Sequence, residues 1–251
     1  MLYYFTVAES LGYEGYYANI GDMRNAGVEI SLNGDIIRTR NFVWDAYWNG
    51  TAYTNKILFI PEERKTVEID GHGGYASGNK FIGEGLPFRT FYIPQYAGLD
   101  HDNGLPMWYK DVKDEAGNVT GRETTEKYAE ATKYLSGDCT PKLYGGFGTS
   151  FSFYGFDISA QFSYQIGGLT YDSGYASFMT PPATGGGETY HKDVLKAWTP
   201  ENPNSDIPRF RFGDTQITAS SDYCLVDASY LNFQRAQIGY TFPSKWMAKA
   251  A

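Results

Sequence analysis

The side chains best suited to chemistry are scattered. His72, His101 and His191 stand far apart, with no spacing that would bring two of them to one metal ion. Cys139 and Cys224 are likewise isolated, so neither a zinc site nor a disulfide framework is implied. Asp100-His-Asp-Asn-Gly104 matches the opening of a calcium loop only in part. Its fifth position is Gly104, which offers no side-chain ligand, and Asp, Asn and Gly favour a turn for reasons of their own backbone. No Ser–His–Asp order, phosphate loop or paired-carboxylate signature is present, so no catalytic residue, metal site or cofactor is expected. What remains is binding chemistry. Asp45, Asn49, Ser150, Asp157, Gln161 and Gln165 form a polar row at strand spacing. Tyr190, His191 and Trp198 sit in a long polar segment, where binding groups tend to reside.

The polar row points to strands. Leu143, Phe147, Phe151 and Phe153 alternate with Tyr144, Gly146, Gly148, Ser150 and Ser152. After Tyr154 and Gly155, Phe156, Ile158, Ala160, Phe162, Tyr164 and Ile166 alternate with Asp157, Ser159, Gln161, Ser163 and Gln165. Successive strand side chains point to opposite faces, so one face is almost wholly apolar and the other polar or small. The pattern recurs at Val28–Leu32, Phe42–Asn49 and Gln237–Phe242. Two weaker strands are expected at Pro87–Ala97 and Leu105–Val112, and Leu2–Phe5 reads as the end of another. Short helices are expected within Arg122–Leu135 and Glu188–Trp198.

Composition agrees with an all-β chain. The 251 residues include 22 Tyr, 16 Phe and 29 Gly, with 17% aromatic residues. Mean hydropathy is −0.43, and no run approaches the roughly 20 apolar residues of a transmembrane helix. The net charge of −8 argues against nucleic acid as a partner, since phosphate binding needs a basic face. No basic and apolar leader opens the sequence, which leads us to expect the export signal upstream.

Connection lengths add direction. Short turns are expected at Gly34–Asn41, Asp100–Gly104 and Tyr154–Gly155. Long polar segments fill Lys56–Gly83, Lys113–Gly137 and Thr170–Ser221. Short periplasmic turns alternating with long extracellular loops mark transmembrane β-barrels. On this parity the strands near Val28, Phe91, Leu143 and Ile238 run down to the periplasm. Those near Trp44, Trp108 and Phe162 run up. The outward aromatics Trp44, Trp48, Phe151 and Tyr240 then meet the lipid bilayer. The polar row Asp45, Asn49, Ser150, Asp157, Gln161 and Gln165 faces the lumen. A sheet of about seven to eight strands cannot close around a wide lumen, so the domain is expected to be part of a larger barrel.

Four ordered stretches carry a family resemblance. Asn19-Ile-Gly-Asp-Met-Arg-Asn-Ala-Gly-Val-Glu-Ile30, Gly137-Asp-Cys-Thr-Pro-Lys-Leu-Tyr-Gly-Gly-Phe147, Phe156-Asp-Ile-Ser-Ala-Gln-Phe-Ser-Tyr-Gln-Ile-Gly-Gly168 and Asp227-Ala-Ser-Tyr-Leu-Asn-Phe-Gln-Arg-Ala-Gln-Ile-Gly-Tyr-Thr-Phe-Pro243 resemble motifs of SusC/RagA-type TonB-dependent transporters of Bacteroidetes. The resemblance spans Leu2 to Pro243. It implies the C-terminal part of a plugged barrel of the 22-stranded class, in the cell outer membrane. The plug domain and the final strands are expected outside residues 1–251. The resemblance further implies import of oligosaccharides or peptides, energy from the TonB–ExbB–ExbD complex, and pairing with a SusD-like surface lipoprotein. An enzyme is not expected. The alternative from the residues alone is a secreted, soluble all-β carbohydrate-binding module.

Overall fold

The structure is a computed structural model and describes residues 2–6, 9–12, 14–19, 21–183 and 187–244. The first strands are β1 (Leu2–Thr6), β2 (Gly15–Asn19), β3 (Asp22–Arg38) and β4 (Phe42–Phe59). A long connection follows, with β5 (Val67–Ile69), β6 (His72–Ser77), β7 (Lys80–Gly83), β8 (Thr90–Pro94) and β9 (Tyr96–Leu99). It continues through β10 (Pro106–Lys113), β11 (Val119–Thr125) and β12 (Lys133–Asp138). Then come β13 (Leu143–Phe153) and β14 (Phe156–Ile166). A second long connection holds β15 (Leu169–Tyr171), helix α1 (Ser173–Met179) and β16 (Leu225–Asp227), and β17 (Tyr230–Tyr240) closes the order. No helix among the described residues is long and apolar enough to cross a membrane.

The chain divides into two compact units. One comprises Arg24–Asn55, Thr140–Gly168 and Asp227–Ala251. The other comprises Met1–Met23, Lys56–Cys139 and Leu169–Val226.

The first unit is built on a five-stranded antiparallel sheet ordered β17-β14-β13-β4-β3. Strands β13, β14 and β17 have 11 residues each, and β3 and β4 have 17 and 18. All reach the ~9–11 residues that cross a bilayer when tilted. The β13–β14 hairpin is in unbroken register from Leu143↔Ile166 to Phe153↔Phe156. Its loop is Tyr154 (φ 47) and Gly155 (φ 88), both left-handed as a type I′ turn demands. The expected Gly34–Asn41 turn is shorter than the sequence suggested. Gly34 lies inside β3, and the reversal occupies Thr39–Asn41, where the Thr39 hydroxyl donates to the Phe42 carbonyl (3.0 Å).

Two expected strands belong elsewhere. Pro87–Ala97 and Leu105–Val112 do not join the long sheet, since β13 pairs directly with β4. They supply β8, β9 and β10, which enter two small sheets of the other unit, ordered β12-β8-β7-β6-β5 and β11-β10-β9. Their apolar residues are interior: Phe91, Ile93, Leu99 and Trp108 are all buried. Removing a pair of strands leaves the alternation of short and long connections intact. The five long strands keep their mutual antiparallel directions.

The helical expectations also change. Arg122–Leu135 holds the end of β11, a 3-10 turn at Tyr128–Glu130 and the start of β12. Its Thr124 and Thr125 are β-branched and pair across to Tyr109 and Trp108. Glu188–Trp198 holds only the 3-10 stretch Lys192–Lys196. The α-helix that does form, Ser173–Met179, is capped by the Asp172 carboxylate, which accepts from the Tyr175 amide (2.8 Å).

Candidate functional site: a two-faced sheet and its loops

Register shows how the long sheet sorts its side chains. Phe42 opposes Phe153, Trp44 opposes Phe151 and Trp48 opposes Phe147. Phe147 in turn opposes Phe162, which opposes Phe233. One face is thus an aromatic band, with ring centroids 4.9 Å apart for Phe147–Phe162 and 5.1 Å for Phe162–Phe233. The Trp44 indole N–H is satisfied within the sheet by the Thr149 hydroxyl (2.8 Å). The band is open: Phe233 is 56% exposed and Ile238 75%. A soluble sheet would cover such a surface, because contiguous exposed apolar area is rare and costly in water.

A β-bulge keeps β17 in this scheme. Gln161 opposes Arg235 but Phe162 opposes Phe233, so Gln234 is extra. Without it, Leu231 and Phe233 would point with Gln237 instead of with Ile238 and Tyr240.

The opposite face gathers the polar row. The Ser150 hydroxyl donates to the Asp45 carboxylate (3.3 Å), and that carboxylate meets Asp35 of β3, which is ion-paired with Arg38. The Asn49 side-chain oxygen accepts from the Gly146 amide (2.9 Å). The Ser152 hydroxyl donates to Asp157 (2.6 Å), and the Gln165 amide donates to the carbonyls of Gly167 and Ala228. Asp45, Ser150 and Gln161 also share the wall of one groove, which the sequence reading did not anticipate. Asn49, Asp157 and Gln165 lie on the same face but outside that groove.

The loop candidates are held by structural contacts. The Trp198 indole N–H donates to the His101 carbonyl (2.9 Å), and its ring covers Gly104 of the Asp100–Gly104 turn. That segment is a turn: the Gly104 amide donates to the Asp100 carbonyl (2.7 Å), and the Asp100 side chain accepts from the Asp102 amide (2.8 Å). His191 Nδ1 caps the Lys192–Lys196 turn by accepting from the Asp193 amide (3.2 Å). Tyr190 packs edge-on against Phe210 at 4.9 Å. Further bonds tie the two long connections together within their unit. The Tyr128 hydroxyl donates to the Ser220 carbonyl (2.7 Å), and the Tyr96 amide donates to the Asp222 carboxylate (2.6 Å). Burial raises the Asp222 carboxyl above its ordinary value and pushes the Cys224 thiol up as well. Both cysteines are free thiols.

Long antiparallel strands, an open aromatic face and a polar face define the wall of a membrane β-barrel. Comparison with known proteins says which kind. No family model matches the chain. It is 25% identical over 247 residues to TonB-dependent receptor P3 of Formosa agariphila, covering 96% of this chain and 24% of that protein. It is 24% identical over 245 residues to TonB-dependent receptor SusC of Bacteroides thetaiotaomicron, covering 91% and 21%. The solved RagAB peptide transporter superposes with a TM-score of 0.74 at 25% identity, over 99% of this chain and 26% of that one. The chain is therefore SusC-like, similar over most of its length to a stretch of the outer-membrane barrel of TonB-dependent receptors. It spans about a quarter of the length of the curated relatives it matches.

Proposed function

We propose that this chain forms part of the wall of an energy-coupled importer that takes up oligosaccharides or peptides through the outer membrane. The observation that carries the proposal is the two-faced sheet, apolar and open on one side and polar on the other. The aromatic band meets lipid. The polar row Asp45, Asn49, Ser150, Asp157, Gln161 and Gln165 lines the interior, where it contacts cargo or a plug domain. The coverage of relatives supports a larger barrel, of the 22-stranded class, whose other strands and plug lie in the rest of the protein. A SusD-like lipoprotein lid and the TonB–ExbB–ExbD complex complete the machine. The packed long connections, with Tyr190, His191 and Trp198, form extracellular architecture that such a lid would rest on.

The test is uptake by the intact system. Cells carrying the full-length protein should accumulate labelled oligosaccharide or peptide. Deleting its gene, or the tonB gene, should abolish that accumulation. Uptake that persists in both deletions would overturn the proposal.

A further inference from the structure

The small sheet β12-β8-β7-β6-β5 sets an amine against a thiol. Lys80 opens β7 and stands opposite Phe91 of β8. Its ammonium lies 2.8 Å from the centre of the Phe91 ring. The ring holds the flexible lysine stem and carries it across β8 towards β12. There the amine donates to the Cys139 sulfur at 3.2 Å. Cys139 directly follows Asp138, the last residue of β12, which pairs with Thr90 of β8. The Arg89 carbonyl accepts from both groups, at 3.4 Å from the Lys80 amine and 3.6 Å from the Cys139 sulfur.

An amine and a thiol held in contact can bond once the sulfur is oxidised. Cys139 is half-buried and so open to a small oxidant, whereas Cys224 is 1% exposed. A neighbouring ammonium favours the thiolate, which is the form that peroxides oxidise. Burial pushes the Lys80 ammonium below its ordinary value, which eases the loss of its proton.

We propose that Lys80 and Cys139 form a reversible sulfur–nitrogen bridge, closed by a peroxide and opened by thiols. In the first step the Cys139 thiolate attacks one peroxide oxygen. An S–O bond forms and the O–O bond breaks. The departing hydroxide takes a proton from the Lys80 ammonium and leaves as water. Cys139 is now a sulfenic acid, and Lys80 is a neutral amine beside it. In the second step the amine lone pair attacks the sulfur. An S–N bond forms and the S–O bond breaks. The departing hydroxide takes a proton from the nitrogen and leaves as a second water. The sulfur is oxidised by two electrons and the peroxide is reduced by two. Sulfenic acids close on a backbone nitrogen in the same way. Two external thiols reverse the change by joining as a disulfide, which restores the amine and the Cys139 thiol. The closed bridge ties β7 to β12 across β8.

The test treats full-length protein in detergent with hydrogen peroxide, with and without dimedone, a reagent that captures sulfenic acids. Peptides are then mapped by mass spectrometry. The expected product is a linked pair of peptides holding Lys80 and Cys139, lighter than their sum by two hydrogen atoms and separated by dithiothreitol. Lys80→Arg keeps a positive charge beside the sulfur, but a guanidinium does not give up its proton. This variant should lose the linked pair and gain the dimedone adduct at Cys139. Cys139→Ser should lose both. Heat-modifiable mobility, which reports an assembled barrel, is checked for each variant. Wild-type protein that carries the dimedone adduct or a sulfinic acid at Cys139 and no linked pair would overturn the inference. Links from Cys139 to several lysines alike, or equal dimedone capture in the wild type and Lys80→Arg, would overturn it as well.

Discussion

Replacing Phe162 by Arg should damage the barrel far more than replacing its neighbour Ser163 by Arg. Phe162 is central in the 11-residue β14 and belongs to the open aromatic face. Its ring lies between Phe147 at 4.9 Å and Phe233 at 5.1 Å. An Arg on a lipid face near the midplane costs about 2–4 kcal/mol. Losing aromatic pairs adds ~0.5–1.5 kcal/mol for each. The total of about 3–7 kcal/mol rivals the ~5–15 kcal/mol stability of a whole domain. Ser163 points to the other face, between Gly146 and Asn232, where an Arg side chain meets polar groups. Its cost should stay within about 1 kcal/mol. Gln161 is a poorer control, because Arg there would oppose Arg235. The assay is urea unfolding of the full-length protein in lipid vesicles, read by the loss of heat-modifiable mobility. Equal destabilisation by Phe162→Arg and Ser163→Arg would refute the assignment of faces.

Other outcomes follow from single contacts. Tyr154 holds a φ of 47, so Tyr154→Asn should stabilise the β13–β14 hairpin by roughly 0.5–1 kcal/mol, measured by the same unfolding assay. Trp198→Phe removes the indole bond to the His101 carbonyl. It should weaken the packing of the long connections by about 0.5–1.5 kcal/mol and speed their cleavage by protease in intact cells. Asp222 is raised above its ordinary 3.8 chiefly by burial. A raised carboxyl favours the folded form most below its unfolded value, and that benefit is lost as pH rises through the folded value. Asp222→Asn still accepts the Tyr96 amide but cannot ionise. It should therefore slow protease cleavage of the long connections at neutral pH, with the advantage disappearing below about pH 4.

Much of this architecture was legible because alternation, turn chemistry and length agreed. In β14 the two-residue period runs through all 11 residues, in β13 it is interrupted only at Gly145 and Thr149, and the register pairs the two strands without a break. Alternation alone could not distinguish lipid from core. Phe91 and Trp108 alternate much as Phe233 and Ile238 do, yet the first two are 2% and 0% exposed and the others 56% and 75%. Strand length was the better guide, since β8 has 5 residues and β10 has 8, against 11 in β17. The bulge at Gln234 had a visible trace: apolar positions are odd-numbered at Leu231 and Phe233 and even-numbered at Ala236, Ile238 and Tyr240. The loop residues were legible only as types. Nothing local to Trp198 tells that it bonds a carbonyl 97 residues away. Tyr47 was legible only as a member of the Phe42–Asn49 alternation, because its setting depends on Gly148, which only the cross-strand register brings beside it.

The central claim is that the long sheet is barrel wall with lipid on its aromatic side. Spin labels placed singly at residues 156–166 of β14, in a cysteine-free full-length protein in vesicles, test it most directly. Relaxation by lipid-dissolved oxygen should alternate with a period of two, strong at Ile158, Ala160, Phe162 and Tyr164 and weak at Ser159, Gln161 and Ser163. Oxygen accessibility that is uniform along the strand, or strongest at the serines and Gln161, would contradict it.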